Sequence, residues 1–98
     1  MNILLVCNAG MSTGIMQLKL TQELKARNIE GEVKATALAE INEFVDKFDV
    51  VLLGPQIRFA INEVKEKAGD KLVMVIAPQD FGTMNAKKVK DDILKQVK

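Results

Sequence analysis

The sequence holds one cysteine, Cys7, at the end of an apolar run that begins at Ile3, and the residues after it are Asn8-Ala9-Gly10-Met11-Ser12-Thr13-Gly14. A helical repeat then starts at Met16. A thiol placed where a strand hands over to a helix amino end lies among backbone N–H groups that have no partner within the helix, and these favour an anion, whether thiolate or bound phosphate. Thiols in such positions titrate below the free value of about 8.5, some as low as roughly 3.5. Gly10 and Gly14 keep the loop free of bulk, and Ser12 and Thr13 offer hydroxyls that can cap the helix or hydrogen-bond an oxyanion. The expected chemistry is attack by the Cys7 sulfur on phosphorus, with the loop from Asn8 to Gly14 holding the phosphoryl oxygens. A cysteine that closes an apolar strand is also compatible with an inert core residue, and Ser12 and Thr13 with plain capping.

Four short apolar runs are expected to be strands: Ile3 to Cys7, Glu32 to Ala37, Val50 to Gly54 and Leu72 to Ala77. Helical spacing lies between and after them. Met16, Leu20 and Leu24 form one stripe, and that helix is expected to end near Asn28. Ile41, Phe44, Val45 and Phe48 form a shorter stripe after the second strand. Ile57, Ile61 and Val64 point inward from a helix that follows Pro55 and stops at Gly69, and Val89, Ile93 and Val97 mark the last helix. Strands alternating with helices make a parallel sheet covered on both faces, and the nearly all-apolar first, third and fourth strands suit two-sided burial. The second strand mixes polar and small residues and is expected at an edge. The expected fold is one α/β domain over residues 1–98, a four-stranded parallel sheet in the order 2-1-3-4 with helices on both faces.

That order puts the switch point between strands 1 and 3, so the loops after Cys7 and after Leu53 share a crevice at the carboxyl ends of the strands. Gly54 and Pro55 read as a strand-to-helix turn, and Gln56 either lines the crevice or is a solvated first-turn residue. Pro78 to Asn85 is expected to be a loop at the same end. Met11, Gln56, Phe81 and Met84 are the expected partner-binding rim.

Composition narrows the function classes. Fourteen basic against thirteen acidic residues leave a formal charge of +1, and no Lys/Arg cluster is dense enough for nucleic-acid binding. The apolar runs are far shorter than the roughly 20 residues that cross a bilayer, and the start lacks the basic residues of a signal peptide, so a cytoplasmic, soluble protein is expected. The absence of histidine excludes a Cys/His metal site or catalytic pair within the chain. Without Tyr or Trp the chain lacks common stacking platforms for sugars, flavins or bases. No cofactor and no metal is expected.

A cysteine-led phosphate loop resembles that of the tyrosine phosphatases, whose C-x5-R loop places an arginine six residues after the cysteine to clamp the transferred group. In this chain that position is Thr13. Without the guanidinium a phosphocysteine should resist hydrolysis and wait for an acceptor, as in a carrier. The loop Cys7-Asn8-Ala9-Gly10-Met11-Ser12-Thr13 after Ile3-Leu4-Leu5-Val6, together with Val50-Val51-Leu52-Leu53-Gly54-Pro55-Gln56-Ile57, is similar to the IIB subunits of the lactose/cellobiose/chitobiose family of bacterial sugar phosphotransferase systems (PTS). The chain departs from that family's pattern at Ala77 and Ala86.

The resemblance implies a topology similar to the low-molecular-weight tyrosine phosphatases and flavodoxin-like proteins, and a phosphocysteine at Cys7. It also implies a IIA partner that donates from a phosphohistidine and a membrane IIC transporter that presents the sugar, a β-linked disaccharide such as cellobiose, chitobiose or lactose, in transient complexes. Two other readings stay open: a phosphatase or arsenate-reductase-like enzyme with Asp80 as general acid, and a non-catalytic binding module with Cys7 buried.

Overall fold

Side chains alternate between the two faces of a strand, so a strand with helices on both sides must be apolar at every position. β1 (Ile3–Cys7) meets that condition: Ile3, Leu5 and Cys7 join one core and Leu4 and Val6 the other. β3 (Val50–Leu53) divides in the same way, with Val50 and Leu52 opposed to Val51 and Leu53. A computed structural model describes residues 1–7 and 10–97, and at 10–13 and 97 it describes the backbone alone. β1 and β3 are the two central strands of a four-stranded parallel sheet in the order β2-β1-β3-β4, with β2 at Val33–Ala37 and β4 at Leu72–Val75. This is the expected fold class and strand order.

On one face lie α1 (Gly10–Ala26) and α4 (Ala86–Val97), packed through Met16, Leu20 and Leu24 against Val89 and Ile93. Lys90 on α4 buries its stem and brings Nζ to 3.1 Å from Glu23 Oε1 on α1, which ties the two helices together. The opposite face is covered by 3₁₀ segments at Leu38–Glu43 and Val45–Lys47, a further one at Pro55–Ala60, and α2 (Ile61–Ala68). Asn28 and Gly69 stop α1 and α2 in left-handed conformations, with φ of 57° and 65°.

Several expectations are corrected. The fourth strand, at the edge that the order 2-1-3-4 gives it, is only half-buried where two-sided burial was expected, because it has a strand neighbour on one side alone. The stretch after β2 forms 3₁₀ turns instead of an α-helix. Ile41, Val45 and Phe48 are buried there, but Phe44 is half-exposed with Lys34 Nζ 4.7 Å from its ring centroid. The helix after Pro55 is two pieces joined near Ile57, and Ile61 is half-buried. Pro78–Gly82 is a short helix, α3, and not a loop. Proline at its first position costs no hydrogen bond and presets the backbone. α4 then starts behind Asn85, whose side-chain oxygen accepts from the Lys88 N–H at 3.2 Å.

Candidate functional site

Cys7 is the last residue of β1 and is 5% exposed. α1 begins at Gly10, so the amino end of that helix opens at the same end of the sheet as the sulfur. Beside Cys7 runs the end of β3. The Gly54 N–H donates to Val6 O at 2.9 Å, which presses the backbone of Gly54 against the end of β1. A Cβ added to Gly54 would lie 2.6 Å from Cys7 Sγ and 2.7 Å from Gln56 Oε1. The sulfur therefore occupies the space that any larger residue at position 54 would need. Gly54 has φ −63° and ψ 152°, values open to every residue, so its smallness matters and its flexibility does not. Sequence reasoning explained Gly54 as a turn and missed this contact, since only the parallel register of β1 and β3 brings the two residues together.

The turn that follows is held from both sides. Pro55 fixes its own φ, and the Ile57 N–H donates to Gly54 O at 3.1 Å while the Ile57 side chain is fully buried. Gln56 between them is exposed, yet its side-chain oxygen folds back toward the sulfur. The shared crevice expected after Cys7 and Leu53 thus brings Cys7, Gly54 and Gln56 together.

Of the expected loop residues, Asn8 and Ala9 lie outside the described residues. Gly10, Met11, Ser12 and Thr13 form the first turn of α1, and their side chains lie outside the described residues. Gly14 is exposed, and beyond its own turn of α1 no described atom lies within 4 Å of where its Cβ would be.

The expected rim is corrected at Phe81. That residue is 5% exposed and packs into the core beneath α1 and α4, with half-buried Met84 against the same cluster. α3 turns Phe81 inward. Asp80, the candidate acid of the phosphatase reading, is also buried, with Lys88 Nζ 4.0 Å from its carboxylate. Lys88 is held above its ordinary pKa, first by its hydrogen bonds to Asp92 and only secondarily by Asp80. Among the described residues the exposed large apolar side chains are Ile15, Leu18 and Phe59. Ile15 and Leu18 lie off the Met16-Leu20-Leu24 stripe, a signal the spacing already contained. A cavity of about 680 Å³ between Asp49, Lys65, Lys71 and Gln96 lies at the amino ends of the strands, away from Cys7.

Residues 2–92 match the model of the family described as PTS system, lactose/cellobiose-specific IIB subunit. The chain belongs to this family. It is 37% identical over 94 residues to the galactose-specific EIIB component of Lactococcus lactis subsp. cremoris, covering 89% of this chain and 87% of that one. It is 31% identical to the oligo-beta-mannoside-specific EIIB component of Bacillus subtilis, covering 94% and 91%. A solved cellobiose-specific IIB component from Borrelia burgdorferi is 42% identical, with a TM-score of 0.73 over 93% of this chain and 85% of that one. The lactose-specific IIB domain from Streptococcus pneumoniae, at 13% identity, shares the fold with a TM-score of 0.87 over 100% and 98%.

The resemblance drawn from the two motifs is therefore confirmed. This IIB chain is a phosphotransferase component that carries phosphoryl groups in a sugar PTS, and IIB domains work with the IIA and IIC components of such systems. The relatives are named for different sugars at comparable identity, so the match stops at the family. Among the described residues no helix of this IIB chain is long and apolar enough to cross a membrane.

Proposed function

We propose that Cys7 is the phosphoryl-carrying residue of this IIB component, loaded by a phosphohistidine of IIA and discharged to a β-linked disaccharide held by IIC. The observation that carries this reading is the packing of Gly54, which reserves space for the Cys7 sulfur beside the amino end of α1. In the loading step the thiolate attacks phosphorus, an S–P bond forms, and the P–N bond breaks with its electron pair passing to the imidazole nitrogen. In the discharge step a sugar hydroxyl attacks, the S–P bond breaks, the thiolate returns and the hydroxyl proton leaves to a base or to water. Neither step needs a base from this chain, which suits its lack of histidine. Thr13 stands where a phosphatase would place arginine, so the adduct should persist until its acceptor arrives.

Labelling with phosphorylated IIA tests this directly. The expected product is a stable adduct on Cys7 that disappears on addition of IIC and sugar. Rapid loss to water without acceptor would favour the phosphatase reading, and no adduct at all would favour a binding module. A second expected result concerns the thiol: its alkylation rate should rise with pH along a curve whose midpoint lies below that of a free cysteine. A midpoint at or above the free value would mean that the helix amino end does not stabilise an anion there.

Direct transfer requires the donor histidine to reach Cys7, so IIA must cover the carboxyl ends of β1 and β3. Among the described residues the exposed apolar side chains nearest in sequence to those ends are Ile15 and Leu18 on α1, 53% and 60% exposed, and Phe59 after β3, 77% exposed. Gln56 stands at the mouth, with Ile15 and Leu18 on the α1 side of the sheet and Phe59 on the other, and each offers a contact of the kind transient complexes use. Phe59→Ser and Leu18→Ser should each weaken IIA binding by roughly tenfold with little change in the urea midpoint. Unchanged affinity, with NMR shifts confined to residues 28–31 and 68–71, would place the docking surface at the other end of the sheet.

A further inference from the structure

We propose that Gln56 is a phosphoryl-state reader: its amide presents oxygen to Cys7 when the carrier is empty and turns over to present its NH₂ to the phosphoryl oxygens when the carrier is loaded. The inference rests on the reading of Cys7 as carrier and adds a second residue to that site. Two observations lead to it. Gln56 Oε1 and Cys7 Sγ converge on one small volume, each within 2.7 Å of the missing Gly54 Cβ. The backbone of Gln56 is held between Pro55 and the buried Ile57, so its side chain starts from a fixed point at the crevice mouth.

A carboxamide carries an acceptor and a donor on one neutral tip and exchanges them by half a turn about its last torsion. While it keeps its proton, the Cys7 thiol offers hydrogen and calls for the oxygen. A phosphoryl group offers only acceptors and calls for the NH₂. Glutamate has the same reach but only acceptors, so it would suit the thiol and repel the phosphate, and leucine would serve neither state. A hydrogen bond to a charged group changes an equilibrium by about tenfold to a hundredfold.

The test compares wild type, Gln56→Leu and Gln56→Glu in equilibrium with phosphorylated IIA, with urea midpoints measured alongside. The loaded fraction should fall roughly tenfold in Gln56→Leu and further in Gln56→Glu, with midpoints little changed. In the wild type the Gln56 side-chain NH₂ resonances should shift and exchange more slowly with solvent on loading. Equal loading in all three chains, or NH₂ resonances that ignore the phosphoryl state, would overturn the inference. Variants that lose loading only in step with their stability would overturn it too. Mass spectrometry of the loaded wild type keeps the two claims apart: phosphate away from Cys7 sinks the carrier assignment, whereas phosphate on Cys7 with unaffected Gln56 variants sinks this inference alone.

Discussion

Cys7→Ser is expected to accept no phosphoryl group from IIA while keeping its fold. Serine is smaller by little more than the difference between oxygen and sulfur, so the cores formed by Ile3 to Val6 and their partners should close around it with a stability change of about 1 kcal/mol or less. The chemistry changes far more. A serine hydroxyl at neutral pH has almost no ionised form, and the chain has no histidine to take its proton. Phosphate incorporation after incubation with phosphorylated IIA should fall to background by mass spectrometry, with an unchanged unfolding transition. Phosphate on Ser12 or Thr13 in either chain would show that the loop and not the sulfur carries the group.

Gly54→Ala should damage transfer almost as severely by another route. The new methyl group would meet the Cys7 sulfur at 2.6 Å, well inside contact distance. The Gln56 amide at 2.7 Å is the end of a flexible side chain and can swing away. The sulfur cannot yield so easily, because it hangs from a strand whose preceding four side chains are fully buried. Overpacking of this kind costs about 1–3 kcal/mol. A displaced sulfur also loses its alignment with the helix amino end, so the loading rate should drop by roughly a hundredfold or more. Urea unfolding and rapid-quench transfer measured on the same variant would check both parts. Normal loading in Gly54→Ala would mean that the sulfur moves before it reacts and that the close packing has no part in transfer.

Much of this was legible in the chain itself. The all-apolar runs Ile3 to Cys7 and Val50 to Leu53 carry the burial pattern of central parallel strands, and their order places Cys7 and Gly54 at one switch point. The C-x-A-G-M-S-T and L-L-G-P-Q motifs carried the family. What misled was short elements. Phe81 sits in a five-residue helix, too brief for a period to reveal which side faces inward, and a loop assignment turned it toward solvent. Gly54 and Gln56 read locally as a turn and a helix start, because their meeting with Cys7 depends on the pairing of β1 with β3. Leu72 to Val75 is as apolar as a central strand, and that composition hid the half-exposure that its edge place in the expected order 2-1-3-4 brings.

The pairing of β1 with both β2 and β3 also bears on how the chain finds its fold. Leu4 is matched with Val51 across nearly half the sequence, so the sheet cannot close until that long loop has been drawn in, at an entropic cost that no local contact repays. Folding should be slower than for a helical protein of this size. The strand pair with the widest separation in sequence is also the one that brings Cys7 beside Gly54. A chain that has not finished folding therefore has no site, and no half-built form should compete for the donor.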